Sequence, residues 1–369
     1  MAAVQLMTCA TAGAGRNQSH FAYVNNEGES VMVSHLRWGV MGTADIARTQ
    51  VIPAIQTSVN GSVVALASRD PAKARDYTQA LGIPRVVESY DALLADVGVD
   101  AIYIPLPNSM HAEWAMRAAE AGKAVLCEKP LATTAKMAEM VSDAFSRHGV
   151  ALMEGFMYRF HPQHRRVHEL IAQGAIGQVR EVRAHLSVNL MNPPDPANVR
   201  LQPALGGGAL LDMGCYAVNI ARMIFACEPT HASAIWIVDP HFDVDIATTG
   251  ILEFPNGFSA SVSCSFMAGG QGTYTVIGTE GSIEVPRAIL PGMGTRVPQA
   301  LVVLVDADGN RREEVFPPVN QYCLMIEAFA SAVLTKRTMP FTTGDAVANA
   351  RVLDALASAA RTHQRVNVS

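Results

Sequence analysis

From residue 36 to residue 154, short apolar runs alternate with helix-patterned stretches at close spacing, and that regularity admits few folds. The runs are LRWGVM at 36–41, VVALA at 63–67, VV at 86–87, DAIYI at 100–104, AVL at 124–126 and VALME at 150–154. They lack the polar–apolar alternation of a half-exposed strand, as befits strands covered on both faces. Helical patterns lie between them over 46–55, 70–81, 89–94, 111–121 and 134–147, with Ser89 placed as an N-cap and Gly82 and Gly122 as stops. Strands alternating with helices predict a doubly wound parallel sheet, an α/β domain over 35–155.

The pattern changes at EGFMYRFHPQ, residues 154–163. A helix is expected over 164–173, then strands at 179–189, 235–237, 248–254, 258–266, 273–277, 282–285 and 301–305, and last two helices at 322–334 and 344–362. Asn256-Gly257 is a strong hairpin signal, because both residues accept the left-handed backbone of a tight turn. The sequence thus predicts a second, α+β domain over 156–369 with an open, mainly antiparallel sheet. Residues 190–205 are proline-rich and aperiodic, long enough to suggest a functional loop. Residues 1–34 are rich in Ala, Gly, Ser and Asn and carry no signal-peptide pattern. They read as a disordered extension, with Met32 a candidate initiator.

A chain of 369 residues, 49% hydrophobic and 17% charged, is long enough for two cores. A net charge of -5 offers no basic surface for nucleic acid or an anionic membrane. No apolar run reaches the roughly 18 residues of a membrane span. Six cysteines without C-x-x-C spacing suit a reducing, cytoplasmic compartment better than a disulfide framework or a zinc site.

The first strand runs into Gly42-Thr43-Ala44-Asp45-Ile46-Ala47, a G-x-A-x-x-A variant of the dinucleotide fingerprint. Gly42 suits the tight turn and Ala47 the close helix packing, while Ala44 stands where glycine lets the backbone approach a pyrophosphate. The second strand ends in Ser68-Arg69-Asp70. A guanidinium and a hydroxyl suit the 2′-phosphate of NADP, an acid suits the ribose of NAD, and on the residues alone both stay open. Pro105-Leu106-Pro107-Asn108 closes the strand at 100–104. His111 follows, where it could face a nicotinamide or simply serve its own helix.

In AVLCEKPLA, residues 124–132, Pro130 has no N–H for a ladder and ends the strand. Glu128 and Lys129 are left at a carboxyl strand end, where open α/β sheets bind ligands. Gly206-Gly207-Gly208 opens a helix expected to run through Phe225, with Asp212 and Tyr216 four apart on one face. A carboxylate and a phenol so placed suit carbonyl binding and proton transfer. Equally, they fit an acid favoured by the helix dipole and a tyrosine packed as core. Arg159 and Asn219 are further candidates for substrate contact.

Together these residues resemble the glucose–fructose oxidoreductase / inositol 2-dehydrogenase / rhizopine-catabolism (Gfo/Idh/MocA) family. The resemblance is carried by the G-x-x-G turn from Gly39 to Gly42, Glu128-Lys129-Pro130, EGFMYRFHPQ, and the Gly-Gly-Gly stretch ending in Asp212-x-Gly214-x-Tyr216. Tyrosine at 216, where many members have histidine, resembles the branch holding glucose–fructose oxidoreductase, NADP-dependent xylose dehydrogenase, dimeric dihydrodiol dehydrogenase and sugar 3-ketoreductases. The resemblance implies a Rossmann domain holding NADP(H), with contacts from Gly42, Thr43, Ala44, Asp45, Ile46, Ser68, Arg69, Pro105, Asn108, His111, Glu128 and Lys129. It also implies hydride transfer at a hydroxyl or carbonyl carbon of a sugar or sugar-like polyol, and a homodimer, often formed through the sheet of the second domain, or a higher homo-oligomer. Lys129 and Tyr216 would be the acid–base pair, with Asp212 beside them. The ammonium of Lys129 is expected to lower the phenol pKa from about 10 toward neutrality. Two other readings stay open: a trans-dihydrodiol dehydrogenase, and a non-catalytic NADP-binding regulator of the same fold.

Overall fold

The computed structural model describes residues 20–24, 30–291 and 299–368. Within the expected extension, β1 (His20–Val24) and β2 (Ser30–Ser34) pair antiparallel. A stretch without regular structure therefore does not describe those two segments, and the rest of 1–29 lies outside the described residues.

The alternation downstream is realised as β3 (Leu36–Met41), α1 (Ile52–Thr57), β4 (Gly61–Ala67), α2 (Pro71–Leu81), β5 (Val86–Val87), α3 (Tyr90–Ala95), β6 (Ala101–Ile104), α4 (Asn108–Glu120), β7 (Ala124–Cys127), α5 (Ala135–His148) and β8 (Leu152–Glu154). Strands β3 to β8 form one six-stranded parallel sheet in the order β5-β4-β3-β6-β7-β8. Every residue of β6 and β7 is buried, which is why those runs carry no polar face. The strand order reverses beside β3, so the carboxyl ends of β3 and β6 diverge there and leave a crevice for a ligand. Local signals set the helix ends. Asp70 accepts the N–H groups of Ala72 and Lys73 at the start of α2, which stops at Gly82 with φ 63. Ser89 accepts from Ala92 N–H at the start of α3.

The second half contains α6 (Pro162–Ala172), β9 (Val179–Ser187), α7 (Cys215–Phe225), β10 (His231–Val238), β11 (Asp245–Glu253), β12 (Ser259–Ser265), β13 (Gln271–Gly278), β14 (Gly281–Val285), β15 (Ala300–Asp306), β16 (Arg311–Phe316), α8 (Gln321–Thr335), α9 (Thr343–Thr362) and β17 (Val366–Asn367). Its strands make a nine-stranded sheet, β16-β15-β14-β13-β9-β12-β11-β10-β17, antiparallel except where β12 runs parallel to β9. Asn256 and Gly257 turn β11 into β12 with φ of 65 and 77. Strand β16, RREEVF, has no apolar alternation to announce it and is stapled on as a charged edge. Among the described residues, Pro203–Phe225 is the one helical stretch long and apolar enough to cross a membrane; 67% of its most apolar 18 residues are buried, and its α7 portion packs on β9 and β12.

Two expected helices pass through a wider turn near their start. Residues Ala47–Val51 and Leu210–Gly214 are π-turns, leading into α1 and α7. Such wide turns recur at functional sites because they free backbone groups and re-aim side chains.

Candidate active site

One cavity of about 950 Å³ runs along the crevice between the two domains. Its walls come from the β3–α1 turn (Gly42, Thr43, Ala44, Asp45, Ile46), the β4 tip (Ser68, Arg69, Lys73), the β6 and β7 ends (Pro105, Asn108, Glu128, Lys129) and the second domain (Arg200, Asp212, Tyr216, Tyr322). A further cavity of about 680 Å³ lies among Ser146, Lys336 and Thr343, away from these groups.

Gly42 is fixed by two demands. Its φ is 86, and a Cβ there would meet Leu106 Cδ2 at 3.0 Å. Its N–H donates to Ala67 O at 2.7 Å, tying the turn to β4. At the β4 tip, Ser68 Oγ accepts Asp70 N–H at 3.2 Å. The Asp70 carboxylate is engaged as the α2 cap, so the acid that left NAD open on the sequence points into its own helix. Arg69 lies against the Tyr90 hydroxyl, and Lys73 shares the wall.

At the far end, Lys129 Nζ donates to the Asp212 carbonyl at 2.8 Å and to Asp212 Oδ1 at 2.9 Å. The carbonyl it caps belongs to the Leu210–Gly214 π-turn. Arg200 Nε donates to the other carboxylate oxygen, Oδ2, at 2.7 Å. The Lys129 ammonium stands 5.0 Å from the ring centroid of Tyr216. Tyr216 is 7% exposed and packs edge-on against Phe156, with its hydroxyl donating weakly to Met157 Sδ at 3.8 Å. The helix start that carries Asp212 is set by Asp245 on β11, which accepts Leu210 N–H at 2.7 Å. Gly208, with φ 114, passes so close that a Cβ would fall 2.2 Å from Asp245 Oδ1. Asn108 donates to Gly206 O at 2.9 Å, joining the α4 start to this glycine run.

The charges follow from this geometry. Burial alone would favour a neutral Asp212, yet Lys129 and Arg200 hold its carboxyl far below the usual range. Burial likewise opposes the Lys129 ammonium, and the charge of Asp212 outweighs it and raises the pKa. For Tyr216 the expected lowering is reversed. Burial, then the neighbouring Tyr322 and Glu128, push its pKa well above 10. The lysine donates to Asp212 and stands over the Tyr216 ring. Glu128 accepts the Tyr103 hydroxyl at 2.7 Å, and burial raises its pKa.

Some expected site residues do other work. Arg159 pairs with Asp345 and lies over the Phe341 ring, outside the cavity wall. Asn219 is buried, accepts the Tyr158 hydroxyl at 2.6 Å and faces Asn349. Both make these polar contacts within the second domain. His111 borders the crevice but is fully buried, with Nδ1 2.8 Å from Pro130 O and Nε2 2.7 Å from Leu106 O. Burial lowers its pKa, and it joins the β6 and β7 loops to each other. Sequence reasoning passed over Arg200, Tyr322, Met157 and Lys73. Only Arg200 carried a hint, at the end of an aperiodic loop.

Residues 36–156 match the sequence profile of an oxidoreductase family with an NAD-binding Rossmann fold, and residues 164–284 match the GFO/IDH/MocA C-terminal domain. D-xylose 1-dehydrogenase (NADP(+)) 2 of Haloferax volcanii is 39% identical over 334 residues, covering 90% of this chain and 100% of that protein. The chain belongs to the GFO/IDH/MocA oxidoreductase family. Another member of similar sequence is trans-1,2-dihydrobenzene-1,2-diol dehydrogenase of Macaca fascicularis, 33% identical over 78% of this chain and 82% of its own length. Among solved members, a 3-ketoreductase from Actinomadura kijaniata in complex with NADP and TDP-benzene superposes with a TM-score of 0.82 at 33% identity. That match covers 88% of this chain and 98% of the ketoreductase.

Proposed function

We propose that this chain is an NADP-dependent oxidoreductase moving hydride between the cofactor and a hydroxyl or carbonyl carbon of a sugar or sugar-like polyol. The observation that carries the reading is the continuity of one cavity from the Gly42–Ile46 turn and the Arg69–Lys73 tip to Lys129, Asp212 and Tyr216. NADP, when bound, supplies the hydride chemistry. The residues fit it: the β3–α1 turn passes without a side chain at Gly42, and Arg69, Lys73 and Ser68 share the cavity wall, where two cations and a hydroxyl suit a 2′-phosphate. Two relatives support the choice, one named for NADP(+) and one solved with NADP.

In this reading Tyr216 exchanges the proton. A buried phenol with a raised pKa keeps its proton at neutral pH, so it donates to a carbonyl oxygen during reduction. Lys129 fixes Asp212, and together with Arg200 makes a polar wall for the hydroxyls of the substrate. The exposed Ile235, Ile237 and Ile251 of the second sheet are the face we assign to a homodimer, testable by sedimentation of Ile235→Lys. The described cysteines are all free, in keeping with a reducing cytoplasm.

The deciding experiment offers aldoses including D-xylose, keto sugars and an aromatic trans-dihydrodiol, each with NADP(H) and NAD(H), and follows nicotinamide absorbance. Turnover of an aldose or keto sugar with NADP(H) is expected. Preference for the dihydrodiol would move the substrate class to aromatics. Tight NADPH binding without any turnover would make the chain a sensor.

A further inference from the structure

We infer that Glu154, a residue outside the cavity, is a positioning residue for Lys129: it pins the turn that carries the lysine and so sets the Lys129–Asp212–Tyr216 arrangement. The importance of that arrangement rests on the function proposed above; the pinning itself does not.

Glu154 closes β8, the strand beside β7, and is 8% exposed. Its Oε1 accepts the Leu131 N–H at 2.7 Å. Pro130 has no N–H, so Leu131 supplies the first backbone donor after Lys129. The contact is close because Gly155 follows: its N–H donates to Cys127 O at 2.7 Å, and a Cβ there would stand 3.1 Å from that oxygen. The two strand ends therefore lie directly together, and Glu154 reaches under the lysine turn. On the other side Glu128 N–H donates to Ile104 O at 3.1 Å. The segment is held between β6 and Glu154, with Lys129 between the two anchors.

A buried carboxylate calls for a counter-charge, and the neighbours supply little. Cys127 faces Glu154 from β7, Cys215 and Arg222 from α7, Arg159 from the 157–160 turn and Asp345 from α9. Arg159 is paired with Asp345, and Arg222 with Glu228 at 2.6 Å and Asp345 at 3.0 Å. Burial therefore dominates, and the Glu154 pKa rises to about 7. An ionised acceptor makes a hydrogen bond roughly twice as strong as a neutral one. The grip on Leu131 thus changes strength near neutral pH.

The test needs no substrate for its first arm. In protein labelled with 15N-leucine, with the Leu131 amide assigned through Leu131→Met, that resonance should titrate with a midpoint near the Glu154 pKa of about 7. In Glu154→Gln, which still accepts the N–H but cannot ionise, the titration should vanish. The second arm is kinetic, with D-xylose or whichever sugar turns over. Glu154→Leu should lose on the order of 10²-fold in kcat, the effect of a misplaced catalytic group, with KM for NADPH little changed. Glu154→Gln should restore most of that loss and drop the neutral inflection from the pH profile. A Leu131 amide indifferent to pH in the parent, or parental kcat in Glu154→Leu, overturns the inference. If no sugar turns over while Leu131 titrates as expected, the proposed function fails and the pinning stands.

Discussion

Lys129 and Asp212 join the two domains through a nearly buried ion pair, Nζ to Oδ1 at 2.9 Å with side chains 11% and 10% exposed. The lysine comes from the end of the parallel sheet and the aspartate from the π-turn that opens α7. Arg200 completes the aspartate, so the carboxylate carries two cations and stays ionised. The charge of Lys129 thereby builds the site's geometry, while burial keeps the Tyr216 pKa raised.

Replacing Tyr216 by Phe removes only a hydroxyl whose partner is the Met157 sulfur. The melting temperature and NADPH binding should hold, while kcat/KM falls by roughly the 10² to 10⁴ of a general acid–base group. Lys129→Met should cost a comparable factor and some stability, since Asp212 then keeps Arg200 alone. The double variant should be far less impaired than the product of the two losses. Parental activity in Tyr216→Phe would remove the tyrosine from the reaction.

The raised Tyr216 pKa gives the two directions different pH profiles. Reduction uses the protonated phenol, so ionisation of Tyr216 should add no pH dependence to it across neutral pH. Oxidation needs the phenolate, so its rate should climb with pH without levelling below about 10, the ordinary tyrosine value. Rates measured in the Glu154→Gln background isolate this effect. A plateau in oxidation near pH 7 that Tyr216→Phe abolishes would mean the phenol is acidified after all.

Cofactor choice should depend on Arg69 and Lys73. Fluorescence titration should give tighter binding for NADPH than NADH, and Arg69→Ala or Lys73→Ala should weaken mainly NADPH. Asp70→Asn should leave the preference in place, because that side chain caps α2. Equal dissociation constants in the parent would contradict the assignment.

Glu154 also affects stability. With its folded pKa raised from 4.5 to about 7, the folded chain binds a proton there that the unfolded chain has released. Its contribution is fully present below about pH 4.5 and is lost as pH rises through about 7, by roughly 3 kcal/mol at 1.36 kcal/mol per unit. Denaturant unfolding at pH 5 and pH 8 should show this decline in the parent and a flatter profile in Glu154→Gln.

Arg200 tethers the 190–205 loop to Asp212. Arg200→Ala should speed amide exchange over 195–202, and substrate added to the NADPH complex should slow it in the parent. An exchange pattern indifferent to both would make the loop a plain connector.

What the sequence determined by itself was the order and kind of the elements around the site. Buried strands such as β6 show as unbroken apolar runs, because both faces are covered. Asp70, Ser89, Gly82 and Asn256-Gly257 act through contacts a few residues away, so their caps and turns are written locally. Glu128-Lys129-Pro130 at a strand end, and Asp212 with Tyr216 behind a glycine run, were readable for the same reason. Tertiary structure decided what those groups meet. Arg200 and Lys129 converge on Asp212 from 12 and 83 residues away, and burial, not the lysine charge, sets the direction of the Tyr216 pKa. Arg159 and Asn219, lesser candidates for substrate contact on the sequence, meet Asp345, Tyr158 and Asn349 in the fold. Long-range partners compete for each polar atom, and burial then fixes its charge; neither effect is encoded in a window of neighbouring residues.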